Sequence, residues 1–391
     1  MTKEGNEDMK NKKWKTKLAA AMMCILMGAA VLGGCGSEGK TQKDSTEGQE
    51  TQGKENGKEK EVSQGTRTVT DAAGNVVEVP EDLSKIAVVP IPWASVIYAI
   101  DGSSERLTAI HPTAMSAYTG CFLEKLDPHY GTADTSSIGK DFSINMEEWV
   151  NLGIQAAVIW DYETDEARQL KELGIAPIMV KNETVEELQA SLKAMGQLLG
   201  KEDRAQQFMD AYTDTYEKIK SYSDKVEQAD KPKVLYLRNA QLDLQGNDNF
   251  IKEALELAGA DNVAGDSTQI TMEEILEINP DIILLSNFDT FLPSDLYENK
   301  IDGQDWSSVN AVVNRRVYKA PMGLYRWDAP GVEIPLMMEW LAVLIQPEIF
   351  GDIHMETELE EYFKTYFNYE LTEEDLGQIM QSEANASSKK P

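Results

Sequence analysis

Two arginines and a small set of aromatic side chains carry the chemistry this sequence offers. Arg238 follows the apolar run Lys233-Val234-Leu235-Tyr236-Leu237, and Arg326 lies in Tyr325-Arg326-Trp327, shortly after Val317-Tyr318-Lys319-Ala320. Trp93, Trp160, Tyr162 and Asn287 stand at or just beyond the ends of three further runs of this kind. Short apolar runs bounded by turn residues read as buried strands. In open α/β sheets, ligands bind beyond the carboxyl ends of the strands. A guanidinium offers paired hydrogen bonds to carboxylates and similar oxygens, and aromatic rings cover flat or apolar surface. The set therefore predicts a site for a large, negatively charged ligand with flat or apolar parts. Tyr325, Arg326 and Trp327 are expected to be exposed there, whereas individual tryptophans elsewhere compete with a plain core role.

Turnover is not what these residues suggest. The sequence has no Gly-x-Ser-x-Gly elbow and no Gly-rich phosphate loop joining a strand to a helix, so any ATPase is expected to be a separate chain. His111, His129 and His354 are the only histidines, and no H-x-x-x-H or Cys/His cluster accompanies them. Direct capture of a bare metal is therefore not expected. A metal arriving inside a small-molecule chelate suits the residues better, and no resident cofactor is predicted.

The elements that must hold these residues alternate strand and helix. Ile86–Val89, Leu107–Ile110, Ala156–Trp160 and Ala176–Val180 read as strands of a first lobe, opened by a hairpin at Thr68–Pro80. Lys233–Leu237, Ile282–Leu285 and Val317–Ala320 read as strands of a second. Such alternation implies mostly parallel sheets covered on both faces. Between the lobes lies a long amphipathic stretch. It opens with the capping-box pattern Thr184-Val185-Glu186-Glu187 and continues through Leu188, Leu192, Met195 and Leu199, then Ala205, Phe208, Tyr212, Tyr216 and Ile219, with Gly200 interrupting it. The predicted architecture is α/β, two Rossmann-like lobes joined by one long helix, with a ligand cleft between them. Its expected limits are an N-terminal lobe at 67–183, the connecting helix at 184–227, a C-terminal lobe at 228–380 and a disordered tail at 381–391.

The residues before the first lobe read as an address. Lys10, Lys12, Lys13, Lys15 and Lys17 precede a largely apolar stretch from Leu18 to Leu32, shorter than the ~20 residues that span a bilayer. The stretch ends in Leu32-Gly33-Gly34-Cys35, similar to a bacterial lipobox. Residues 1–34 are thus expected to be a signal peptide, with Cys35 lipidated and residues 36–66 forming a flexible, polar tether. This predicts a protein held at the outer face of the cytoplasmic membrane. The 391-residue chain carries a formal net charge of −30, which excludes a basic nucleic-acid footprint. With Cys35 modified, Cys121 has no partner for an intramolecular disulfide and is expected to be a core residue.

One internal echo links the lobes. Met146-Glu147-Glu148-Trp149-Val150 and Met272-Glu273-Glu274-Ile275-Leu276 are 126 residues apart, and each precedes a strand by the same interval. Together with the Thr-Val-Thr-Asp-x-x-Gly hairpin at 68–74, the run Leu257-Ala258-Gly259-Ala260-Asp261-Asn262-Val263 and the strand entry Asn279-Pro280-Asp281, this pattern resembles the class III solute-binding proteins of ABC importers. Ala260 replaces a second glycine of that family's helix-ending motif, and the first lobe lacks the Pro-Asp pair. The resemblance covers about residues 67–370. It implies a monomeric lipoprotein that captures a ferric siderophore or a similar iron chelate and delivers it to an ABC permease. Cobalamin, haem or another metal chelate is the alternative ligand, and a sensing or adhesion lipoprotein the alternative role. It also implies that Glu147 and Glu273 dock on the permease, with Glu148 and Glu274 as neighbours able to share that role.

Overall fold

The computed structural model describes residues 65–223, 226–227, 230–247 and 249–390. The expected signal peptide, Cys35 and nearly all of the tether lie outside the described residues. No described helix is long and apolar enough to cross a membrane.

The first lobe begins with the hairpin β1 (Thr66–Thr70) and β2 (Val76–Pro80), paired antiparallel from Thr66↔Pro80 to Thr70↔Val76. Asp71 explains the Asp-x-x-Gly signature. Its carboxylate accepts from the backbone N–H groups of Ala73 and Asn75 within the turn, and from Met179 N at 3.2 Å. One buried side chain thus shapes the turn and pins the hairpin to the sheet, while Gly74 takes the required positive φ. The sheet comprises β3 (Ile86–Val88), β4 (Leu107–Ile110), β5 (Ala156–Trp160) and β6 (Ala176–Val180), all parallel in the order β4-β3-β5-β6. Its helices are α1 (Trp93–Asp101), α2 (Pro112–Tyr118), α3 (Leu123–Leu126), α4 (Met146–Leu152), α5 (Thr164–Glu172) and α6 (Val185–Leu199).

After α7 (Glu202–Ser223), the second sheet is built from β7 (Lys233–Leu237), β8 (Asp261–Asn262), β9 (Ile282–Leu285) and β10 (Val317–Lys319). Its order is β10-β9-β7-β8, again parallel. Read from the other edge, this is the order of the first sheet. The two-residue β8 falls where the sequence suggests only a helix stop, because so short an edge strand has no period to detect. Helices α8 (Asn249–Leu257), α9 (Met272–Ile278), α10 (Pro293–Tyr297), α11 (Asn310–Val313), α12 (Ile334–Ile345), α13 (Met355–Phe367) and α14 (Glu373–Ile379) complete the chain.

The echo is structural as well as sequential. α4 and α9 both have seven residues, begin 126 positions apart and open with a side-chain N-cap, Asn145 or Thr271. Both end in a left-handed residue, Gly153 or Asn279. Each bears one buried residue, Trp149 or Ile275, that anchors it to the sheet. A lysine beside the neighbouring strand then caps each helix. Lys85 Nζ donates to Leu152 O at 2.7 Å, and Lys233 Nζ donates to Ile278 O at 3.0 Å. A cation on the last carbonyls complements the helix dipole.

Gly200 divides the expected 184–227 helix in two. It closes α6 in the left-handed conformation, and Gly196 lets Ala205 of the next helix approach so closely that an added Cβ would meet it at 2.7 Å. α6 packs on β1, β6 and α1, so it belongs with the first lobe, and α7 alone crosses. At 22 residues, α7 is roughly 33 Å long. Its stripe Ala205, Phe208, Tyr212 and Ile219 is buried. Arg204 donates to Ala99 O at 2.9 Å and to Tyr366 O, and Lys218 pairs with Glu339 at 2.8 Å and Glu358 at 3.1 Å. Both ends of the crossing helix are therefore tied to packed neighbours.

The C-terminal residues correct an expectation. Residues 381–390 are not a disordered tail but run beside β10, the edge strand. Asn385 accepts from Lys319 N at 2.7 Å and donates to Lys319 O at 3.0 Å, and Ser388 Oγ donates to Val317 O at 2.6 Å. Composition missed this because the segment supplies hydrogen bonds to an open sheet edge rather than apolar burial. Deleting residues 381–391 is expected to lower stability by about 2 kcal/mol and the thermal midpoint by about 3 °C. An unchanged midpoint on calorimetry would show that the edge needs no cover.

Candidate functional site

The shared strand order puts a topological switch point between β3 and β5 in the first lobe, and between β7 and β9 in the second. In the second lobe, Arg238 follows β7, Asn287 and Phe288 follow β9, and Arg326 lies in the loop after β10. The Arg238 and Arg326 guanidinium carbons stand 3.8 and 3.9 Å from the centroid of the Phe288 ring. Both guanidiniums therefore lie against the one ring. Cation–π attraction offsets part of the repulsion between the two charges. Phe288 was missed by the sequence reading; its signal is an aromatic residue directly after a strand-ending Asn.

The two arginines are held differently. Arg238 Nη1 donates to Gln245 Oε1 at 3.0 Å, and Gln245 Nε2 donates to Asp328 O at 3.0 Å. Arg326 is 8% exposed. Its Nη1 donates to Asn287 O at 3.2 Å and its Nη2 to Tyr325 Oη, while Nε, also buried, has no protein partner. A buried, charged donor without an acceptor is costly. Asn287 is committed elsewhere: its Nδ2 donates to Ala320 O at 2.7 Å, joining the turn after β9 to the loop after β10. Lys319 fixes the same turn from beneath. Its buried ammonium donates to the carbonyls of Ser286, Asp289 and Phe291, and burial pushes its pKa down to about 8.

The expectation that Tyr325-Arg326-Trp327 is exposed is overturned. Tyr325 is 8% exposed and Trp327 is 1% exposed. The reason is Glu333, a buried carboxylate just before α12, which accepts from Tyr325 N and Trp327 Nε1, both at 3.2 Å. Gly323 permits this, since a Cβ there would lie 1.8 Å from the Glu333 carboxylate. The first lobe holds the loop from its other side: Phe122 N donates to Gly323 O at 2.9 Å, and Cys121 Sγ to Leu324 O at 3.2 Å. Cys121 is a buried core thiol, and burial pushes its pKa up to about 12.

Burial likewise raises the Glu333 pKa to about 7. The folded state therefore binds a proton that the unfolded chain releases near pH 4.5, so this contribution is complete below that pH and is lost as pH rises to about 7. Glu333→Gln is expected to flatten the fall in stability between pH 5 and 7.5, which amounts to up to about 3 kcal/mol in the native chain. Denaturant titrations across that range that fall equally in both proteins would refute this.

The first-lobe candidates divide. Trp93 opens α1 but is 1% exposed and belongs to the core, because α1 buries nearly every side chain it carries. Trp160 and Tyr162 stay near the surface, with near-parallel rings 6.2 Å apart and Tyr162 71% exposed. They border a pocket of about 340 Å³ that also includes Asp161, Lys181 and Glu187, where Lys181 lies 3.4 Å from Asp161. His111, after β4, is buried beneath Phe142 with ring centroids 4.4 Å apart. Its Nδ1 accepts from Thr113 N at 3.0 Å, and desolvation holds its pKa below the usual value. Among the described residues, no three His, Cys, Asp or Glu side chains are grouped to hold a metal ion.

Glu147 and Glu273 are exposed in the first turns of α4 and α9. Each helix leads back into a strand, so its first turn lies level with the carboxyl ends of the sheet. Glu274 differs from its neighbour: its carboxylate accepts from Thr271 N at 2.8 Å and Thr271 Oγ1 at 2.7 Å, closing a capping box.

Two parallel-stranded lobes crossed by one helix, with arginine and aromatic side chains beyond the strand ends, have the architecture of a solute-binding protein. A family model described as periplasmic binding protein matches residues 139–322. The crystal structure of a periplasmic solute-binding protein from Veillonella parvula is 38% identical, covering 82% of this chain and 99% of that one, with a TM-score of 0.79. The molybdate-binding protein MolA of Haemophilus influenzae is 21% identical over 328 residues, 77% of this chain and 91% of MolA. The structure of CeuE from Helicobacter pylori with Ni(II) bound shares 19% identity over 80% of this chain and 99% of that one, at a TM-score of 0.62. The chain belongs to the periplasmic binding protein family. It is an extracytoplasmic solute-binding protein that delivers a small ligand to an ABC transporter permease.

Proposed function

We propose that the ligand is an anionic, metal-containing solute held by Arg238 and Arg326. The observation that carries this reading is the guanidinium pair around Phe288, with the buried Nε of Arg326 lacking a protein acceptor. Within this class a compact metal oxyanion is the first reading. Burial of Trp93 and Trp327 removes two of the flat surfaces on which a large chelate was expected to lie. The likeness to a molybdate-binding protein supports the same choice. A siderophore-type ferric chelate is the second reading, favoured by the stacked Trp160–Tyr162 pair, of which Tyr162 is exposed. Cobalamin draws less support, since the arginine pair selects for negative charge.

Lipidation of Cys35 and docking through Glu147 and Glu273 belong to the same proposal. The capping box occupies Glu274, which leaves Glu273 as the available carboxylate of its pair. A sensing or adhesion lipoprotein would need neither glutamate. Calorimetric titration of residues 66–391 with molybdate, tungstate, ferric citrate and a ferric catecholate is the direct test. Saturable binding of an oxyanion supports the first reading, and binding of a ferric chelate alone supports the second. Binding that persists in an Arg238→Ala, Arg326→Ala double variant would overturn the arginine site itself.

A further inference from the structure

The repeat that places Glu147 and Glu273 also places an apolar side chain beside each. Val150 is 50% exposed and Leu276 is 45% exposed, and they occupy equivalent positions 126 residues apart. At about 100° per residue, the positions three apart, 147 and 150 in α4 and 273 and 276 in α9, lie on one helix face. That face points away from Trp149 and Ile275, the residues that hold each helix to its sheet. Single exposed aliphatic residues are ordinary and need no explanation. An exposed aliphatic residue beside an exposed, available carboxylate, presented twice by one structural unit, is a different observation. Packing does not require it at either site.

Resting on the docking role of the glutamates proposed above, we infer that each lobe carries a two-part docking spot, Glu147 with Val150 and Glu273 with Leu276. The occupant is the permease dimer, a face that is itself two-fold symmetric. Each half supplies a cation for the carboxylate and an apolar recess for the neighbouring side chain. A two-fold face presents the same surface twice, and a duplicated lobe matches it with two copies of one patch. The carboxylate sets orientation and rate of encounter, and the aliphatic side chain contributes contact area that salt does not screen.

The test uses the full lipoprotein in its own cells. p-Benzoylphenylalanine is placed at position 150 or 276, with Leu173 and Val313, two other exposed apolar positions, as controls. The expected result is photo-cross-linking from both 150 and 276 to the same membrane-spanning permease subunit, identified by mass spectrometry, and none from the controls. Cross-links from one position only, or to different proteins, would overturn the inference. Docking of soluble variants to that permease–ATPase complex in nanodiscs separates the two layers of the argument. Val150→Ser and Leu276→Ser should each weaken docking roughly five-fold, and together about 25-fold, with ligand titration unchanged. Wild-type docking by the Glu147→Ala, Glu273→Ala variant would remove the underlying reading. Loss in that variant with wild-type docking by the serine pair would remove this inference alone.

Discussion

Arg326→Ala is expected to lower ligand affinity by up to about 100-fold. A hydrogen bond to a charged group contributes about 1.5–3 kcal/mol, and 1.4 kcal/mol is a factor of ten. Arg326 is the better-buried member of the pair, so an anion there meets a weakly screened charge. Arg238 is only half-buried, and Arg238→Ala should cost less, about ten-fold. Arg326→Lys should not restore affinity, because an ammonium cannot both stack on Phe288 and offer a planar fork. Titration with whichever of molybdate or ferric citrate the native protein binds reads all three variants. The Arg326 side chain also supports Asn287 O, so each variant needs a thermal midpoint beside its affinity. A folded Arg326→Ala protein with native affinity would place the ligand elsewhere, and the Trp160–Tyr162 pocket would become the leading alternative.

Glu147→Ala combined with Glu273→Ala is expected to abolish uptake while leaving ligand binding unchanged. Both carboxylates are exposed on short helices whose folding rests on other residues: the N-caps, the buried Trp149 and Ile275, and the capping lysines. Their removal should therefore move the thermal midpoint by less than about 2 °C. Glu274→Ala is the opposite case. It breaks the capping box and should cost about 1 kcal/mol of stability with docking intact. Uptake by cells carrying each variant, measured beside ligand titration of the purified protein, distinguishes the two effects. Native uptake in the double variant would favour the sensing or adhesion role.

Local pattern alone determined much of the scaffold. The buried strands announced themselves as short apolar runs because a parallel sheet covered on both faces leaves no polar side to its strands. The repeat at 126 residues was legible because each unit carries its own cap, anchor and stop within a few residues. The arginines and the strand-end positions were legible for the same reason: topology places whatever follows a parallel strand at one end of the sheet. Pairings between residues distant in sequence were decided only by tertiary structure. The loop carrying Trp327 reads as exposed until Phe122 and Cys121 of the first lobe bond to Gly323 and Leu324, and Phe288 reads as incidental until residues 50 before and 38 after it close on its ring. Residues 381–390 read as a tail until Asn385 meets the edge of β10. Burial, ring stacking and edge pairing depend on what lies across space, and a linear pattern reports only what lies a turn or two along the chain.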